Sequence, residues 1–395
     1  MLALDNIRIL DFSRLAPGPF CTLMLADMGA EVVLVEAPPS RLPSTRDIPA
    51  TSQEQAQKTA AYSSARRNKR SIVLDLQTEE GRNVIYKLAE TTDVVVEGFR
   101  PGVVKRLGVD YETLRKINDR IVYCSISGYG QDGPYVGLAG HDINYISIGG
   151  ALGALGPQGG PPIPPMNLLA DFAGGGLMAA YAVAVALLAR TRTGKGQYVD
   201  IAMSDGVLQL LSTAIDSYFQ RGEVPHPGVH RYTGGWPHYG VYQCSDGAWI
   251  SIASLEPHFF TNLCRIMGCE DFIAQQQNEE KHAEIRAHFT QRFKTRTRDE
   301  WFATFQESDI CAAPVYGLDE ALQDPHNLHR KMVIEVEAPH VGKVKQVGIA
   351  PKLSETPGAV RFTAPVAGQH TDEILESIGY GPDMIAKLRE SGAVR

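Results

Sequence analysis

Between Leu138 and Gly150 the chain reads LAGHDINYISIGG, which sets a histidine, His141, beside an aspartate, Asp142, between glycines and an apolar run. An imidazole changes charge near neutral pH, so proton transfer is within its reach; a polar residue that happens to stand near a turn is the plainer reading. Further on, Asp171 stands immediately before FAGGGLMAA. Aspartate is a favoured helix N-cap, and that role alone would account for it. The same position is where helix N–H groups and the helix dipole favour negative charge, a setting that steadies a carboxylate and a developing oxyanion. ARRNKRSIVLDL and EGFRPGVVKRLG gather basic side chains at strand ends, suited to phosphates and equally common on solvated faces. Type and spacing leave these readings undecided.

Other patterns carry less. GYGQDG, residues 128–133, has the form G-x-G-x-x-G after a β-rich run, but Pro134 follows directly and no clear amphipathic helix comes next for a pyrophosphate to cap. A glycine-rich turn beside a ligand is expected there. His226, His230 and His238 share a Pro/Gly-rich segment without the spacing that puts metal ligands on one face, so a surface loop is expected, and DPHNLHRK reads the same way. The sequence has neither a G-x-S-x-G elbow nor a Walker loop, which removes the main support for serine-hydrolase and P-loop chemistry.

The elements that must hold these residues follow from periodicity. IRILDFSR, EVVLVEAP, RSIVLDL, DVVVEGF and IVYCSISGYG read as strands, with helical segments near CTLMLADMG, EEGRNVIYKLAETT and YETLRKIND between them. Strands alternating with helices imply parallel βαβ units and a Rossmann-like, doubly wound α/β domain. GKGQYVDIAMSDGVLQLLS adds a strand and a helix. From about Gly222 the composition turns to Pro, Gly, His and aromatics, a linker leading to a β-hairpin around SDG and then to helical sequence from His258 to about Phe305. A chain of 395 residues exceeds the size at which one core stops growing. The expected organisation is a large α/β domain over 1–200, a linker over 201–228, a smaller α+β domain over 229–327, and a segment over 328–395 that returns to the large domain.

A net charge of −7 argues against nucleic acid as the main partner, without excluding a phosphorylated ligand bound by local arginines. Six scattered cysteines with no C-x-x-C pair read as reduced thiols in a cytosol, and the first residues do not look like a secretory signal, so a cytoplasmic location is expected. Phe172 to Ala189 is uncharged, long enough to resemble a membrane span. Its Ala and Gly content favours a buried helix packed closely on its neighbours, and no membrane association is expected.

Taken together, IRILDFSRLAPGPFCTLMLADMGAEVVLVE, RRNKRSIVLDL, VVVEGFRPGVVKRLG, ISGYGQDGPY, AGHDINY, PPMNLLADFAGGG, TGKGQYVDIAMSDG and SLEPHFF resemble the family of the family III CoA-transferases and α-methylacyl-CoA racemases, most nearly its racemase branch. The resemblance implies that Asp171 is the catalytic carboxylate, which transferases use to take acyl groups as a mixed anhydride and racemases use as a base. It implies that His141 is a second base, absent from typical transferases, and that Glu256 of the EP-x-F motif orients it; an acid at a helix N-terminus is the plainer reading of Glu256. It points to Arg100, Arg67 and Lys69 as contacts to the CoA phosphates, with Asp142 and Tyr145 also on the CoA side. Relatives often carry arginine where this chain has Ala37, and Arg41 or Arg46 would have to substitute. An interlocked homodimer with the site between protomers is implied, so that His141 and Glu256 come from different chains.

The reaction so implied interconverts the α-stereocentre of a 2-methyl or other α-branched acyl-CoA by two-base proton transfer through an enolate, with no cofactor beyond the CoA moiety of the substrate. N–H groups at the start of the Asp171 helix would hold the thioester oxygen. A CoA-transferase working through Asp171 is the alternative, and a non-catalytic acyl-CoA-binding protein a remote one. HRYTGGWPHYG differs from what a fatty 2-methylacyl specialist is expected to carry, and its aromatics, Trp236 and Tyr239, suit an aromatic or compact acyl chain.

Overall fold

The computed structural model describes residues 1–41 and 52–395; Arg46 lies outside the described residues. The chain forms two compact units, the first made of Met1–Gly149, Pro165–Leu210 and Leu328–Arg395, the second of Gly150–Pro164 and Leu211–Asn327.

In the first unit the apolar runs form a parallel sheet: β1 (Arg8–Asp11), β2 (Glu31–Glu36), β3 (Lys69–Val73), β4 (Val94–Glu97), β5 (Val122–Ser127) and β6 (Tyr198–Ala202). Their order is β3-β2-β1-β4-β5-β6, that of a doubly wound fold. β4 and β5 are buried at every position, as strands covered by helices on both faces must be, which is why VVVE and VYCSIS read as unbroken runs rather than alternating ones. The order reverses between β2 and β4 on either side of β1, and ligands in such sheets bind outside the carboxyl ends of strands at that point. There β1 ends at Asp11, before Leu15-Ala16-Pro17-Gly18, and β4 ends at Glu97, before Gly98-Phe99-Arg100. Residues 370–395 pack on the β3 side of the sheet, while Val333–Ala338 and Gly342–Val347 form a separate antiparallel hairpin. Ile374, Leu375, Ile385 and Leu388 join Val33, Ile72 and Val84 in one core, and Val394 bridges to Leu74.

The Ala-rich segment is a helix over Leu168–Thr193, long and apolar enough, by length and composition, to cross a membrane. Its first part, Leu168–Leu177, is wound as a π-helix and the rest, Met178–Thr193, as an α-helix. Glycines allow its close packing: a Cβ on Gly175 would stand 2.9 Å from Met203 Cγ, and one on Gly176 2.7 Å from the Pro17 carbonyl. One side is thus seated on the helices Pro17–Asp27 and Met203–Leu210. Another side, carrying Leu177, Tyr181, Val185 and Leu188, is exposed, Tyr181 at 66% and Leu188 at 56%.

The second unit holds an antiparallel sheet of β7 (Tyr239–Gln243), β8 (Trp249–Ala253) and β9 (Ala312–Pro314), with β7 and β8 joined by the expected hairpin around SDG. Phe260, Phe289, Phe293, Trp301 and Phe305 fill the core between this sheet and its helices. Residues 201–228, expected as a linker, carry helices over Met203–Leu210 and Ser212–Arg221, and the division between the units falls at Leu210 and Leu211. No Gly or Pro marks that point in the sequence, so composition gave no sign of it.

Candidate active site

His141 is the N-cap of a short helix, Asp142–Ile148, with extended backbone angles, and its amide donates to Asn144 Oδ1 at 3.1 Å. Its side chain lies at the surface of the first unit. Tyr145 fixes the loop that leads to it. The phenol donates to the Gly140 carbonyl at 2.5 Å, and its ring lies so close to Gly128 and Gly140 that a Cβ on either would come within 2.2 and 2.6 Å of it. Burial, with Tyr129 and Asp171 nearby, pushes the phenol up to about 12, against the pull of Arg100. Tyr145, expected on the CoA side, is therefore mainly a wedge under the histidine loop.

Asp171 is half-buried and accepts a hydrogen bond from Asn167 Nδ2 at 3.0 Å. It is not the N-cap: Asn167 precedes the helix, and Asp171 lies inside the π-wound turn. Such turns are rare and recur at functional sites. Burial raises its carboxyl above the ordinary range; the Asn167 hydrogen bond opposes this, the charge of Asp142 adds to it, and His141 opposes it. His141 and Asp171 are thus brought within electrostatic reach of each other.

Asp142 stands between them. Its carboxylate is only 5% exposed, and Oδ2 accepts from the amides of Ala170 and Asp171, each at 2.8 Å. This corrects two expectations. Asp142 is committed to the backbone of the Asp171 helix rather than to a nucleotide, and those two amides, turned to Asp142, are not free for a thioester oxygen.

The basic residues divide. Arg100 is exposed on the loop after β4, and its guanidinium has no ion-pair partner among the described residues. Arg67 is buried in a two-point pair with Asp27, at 3.0 and 2.6 Å, and donates to the Val347 carbonyl at 2.5 Å. Lys69, also buried, donates to Thr22 Oγ1 at 2.6 Å and to the Pro19 carbonyl at 3.0 Å, with Asp11 Oδ2 at 3.4 Å, and burial pushes its ammonium down. Neither reaches solvent, so neither contacts a CoA phosphate; they brace the first unit from within. Arg41 pairs with Asp75 at 3.0 Å.

Glu256 lies in the second unit, exposed, as the N-cap of Pro257–Met267, and its side chain makes no capping bond. In the same unit His238 is buried rather than on a surface loop, between Trp236 and Phe260 with ring centroids at 5.1 Å, and burial pushes its imidazole down to about 4. Among the described residues no three His, Cys, Asp or Glu side chains are grouped to hold a metal. Sequence reasoning missed Glu97, a buried carboxyl at the end of β4 that accepts from Phe99 N at 2.7 Å and is raised to about 7 by burial. Its place at the carboxyl end of a central strand, next to GFRPG, was the available signal.

Over residues 4–371, nearly its whole length, the sequence matches the model of CoA-transferase family III. The chain belongs to this family. Among family III relatives, the alpha-methylacyl-CoA racemase of Homo sapiens is 37% identical over 98% of this chain and 96% of its own. The succinyl-CoA–D-citramalate CoA-transferase of Chloroflexus aurantiacus is 33% identical over 98% of this chain and 96% of its own. A solved structure of a CAIB/BAIF family protein from Brucella suis superposes with a TM-score of 0.79 at 27% identity, covering 95% of this chain and 99% of that one. Family III therefore includes, among relatives of similar likeness to this chain, one named for isomerisation and one named for transfer.

Proposed function

We propose that the chain is a racemase that interconverts the α-stereocentre of a 2-methyl or other α-branched acyl-CoA. The observation that carries this reading is the pairing of His141 with a half-buried Asp171 whose carboxyl is raised, which supplies two unlike bases at one place. In one direction the Asp171 carboxylate takes the α-proton. The C–H electron pair moves into the enolate, and protonated His141 returns a proton to the opposite face. In the other direction the roles exchange. Each positioned group contributes ~10² to 10⁴ in rate. Burial strengthens Asp171 as a base, because its charged form is less well solvated.

Arg100 is the proposed contact to a CoA phosphate. Glu256 is proposed to orient His141 within an interlocked homodimer, and the exposed apolar side of Leu168–Thr193 supports a second copy of the chain. A cytoplasmic setting is consistent with six free thiols. A CoA-transferase remains the second reading, because Asp171 would serve as its acyl acceptor and a relative named for that activity is 33% identical.

The test is incubation of α-branched acyl-CoAs in D₂O, alone and with a free carboxylic acid. Racemisation predicts α-deuterium without any acid. Acyl transfer to the acid with no α-deuterium would move the assignment to transferase.

A further inference from the structure

Resting on that reading of Asp171 and His141, we propose that Asp142 is a positioning residue: its two hydrogen bonds tie the Asp171 turn to the histidine helix, and its carboxylate places a negative charge beside the base. Three observations carry this. Asp142 directly follows His141, at the first position of that helix, so the bonds that hold its side chain also hold the backbone beside the histidine. Its Oδ2 receives the amides of Ala170 and of Asp171 itself, which ties the π-wound turn to the histidine helix through one atom. Its Oδ1 is buried and has no hydrogen-bond partner among the described residues.

The last point separates a charge from a cap. Receiving two amides needs only a neutral oxygen, and asparagine supplies one with a much smaller desolvation penalty than a carboxylate with half its acceptors unused. A carboxylate here does what an amide would not: it places negative charge beside Asp171, so that a proton on Asp171 is held more tightly. The groups acting on the Asp171 carboxyl are Asn167 on its own helix and Asp142, His141 and Tyr145 on the histidine helix. The neighbouring helices bring Pro17, Phe20, Met203 and Val207 against its glycines.

The test uses the full-length protein and Asp142→Asn, which keeps an acceptor and the shape. The substrate is the epimer that still exchanges its α-proton in His141→Ala, for which Asp171 is the base. With that epimer Asp142→Asn is expected to move the acid limb of kcat/KM to lower pH, because a more acidic Asp171 is deprotonated earlier. Turnover is expected to fall by up to about 100-fold, since a weaker, less firmly placed base removes the proton. A merely structural role would lower activity and leave the acid limb where it was; that result overturns the proposal.

An activity-independent measurement keeps the two readings apart. The Asp171 carboxylate is followed by infrared titration, as the difference between each protein and its Asp171→Asn partner. A lower titration in Asp142→Asn supports the proposed electrostatic role even if the wild type proves to exchange no α-proton, which would instead overturn the racemase reading. An unchanged titration in a variant with wild-type thermal stability overturns the role of Asp142.

Discussion

At Asp171 the π-wound turn lifts a carboxylate out of the usual helical register, and Asn167 and Asp142 hold it from two directions. Removing one of two unlike bases should not silence both halves of the reaction. With His141→Ala, epimerisation is expected to stop. The epimer facing Asp171 should still take up deuterium with retention, as that carboxyl exchanges its proton with solvent and returns it to the same face. Interconversion of both epimers at the wild-type rate would show that His141 is no base. His141 and Asp171 drew notice by residue type and setting, but type and spacing left their roles undecided, and only the family resemblance assigned them. Asp142 stood in the same string as His141 and was misread, because its partners are 28 and 29 residues away and no local pattern encodes them. Arg67 and Lys69 failed for the same reason: their acids, Asp27 and Asp11, lie 40 and 58 residues back, and a cation beside a strand looks identical in sequence whether it faces water or a buried carboxylate.

The strands were legible as elements, because burial on both faces writes unbroken apolar runs into the sequence. The π-wound turn was not, since its apolar and glycine content fits an α-helix equally well. Its glycines give a direct check. Gly176→Ala would set a Cβ 2.7 Å from the Pro17 carbonyl and 2.9 Å from the Phe20 ring, where backbone yields poorly. Against a gain of up to about 1 kcal/mol in helix propensity, the crowding should cost about 1 to 3 kcal/mol. Urea unfolding is expected to show a lower midpoint, and an unchanged one would mean that the two helices are not in close contact.

β4 offers a pH-dependent counterpart. The Glu97 carboxyl is raised from 4.5 to about 7, first by burial, so the folded chain holds its proton more tightly than the unfolded chain does. The stability this gives is fully present below about pH 4.5 and is lost as pH rises to about 7, after which the loss is constant. Glu97→Gln escapes that loss. Relative to the wild type it should gain on the order of 3 kcal/mol between pH 4.5 and pH 8. Parallel stability curves for the two proteins across that range would rule out a raised Glu97.

For the whole molecule, the decisive feature is the uncovered side of Leu168–Thr193. Only 44% of its most apolar window is buried, and Tyr181, Val185 and Leu188 recur at helical spacing along one exposed stripe. If this stripe is covered by a second copy, Tyr181→Glu and Leu188→Glu should each convert a dimer into a monomer with intact secondary structure. Sedimentation velocity at micromolar concentration reads this directly. A wild type that already sediments as a monomer would leave the interlocked arrangement without support.

The return of residues 374–394 to the sheet has a consequence for how the protein is made. Leu10, Val33, Ile72 and Val84 are translated early, yet the side chains that complete their core, Ile374, Leu375, Ile385 and Leu388, leave the ribosome only after all of Leu211–Asn327 has been synthesised. During that interval the nascent first unit carries an unfinished apolar edge, the kind of surface that chaperones hold and that aggregation exploits. Ribosomes stalled just after Asn327 should therefore display a first unit that limited proteolysis cuts readily, whereas stalling on a linker placed after Arg395 should protect it. Equal resistance at the two stall points would mean that the sheet closes without its late-arriving helices.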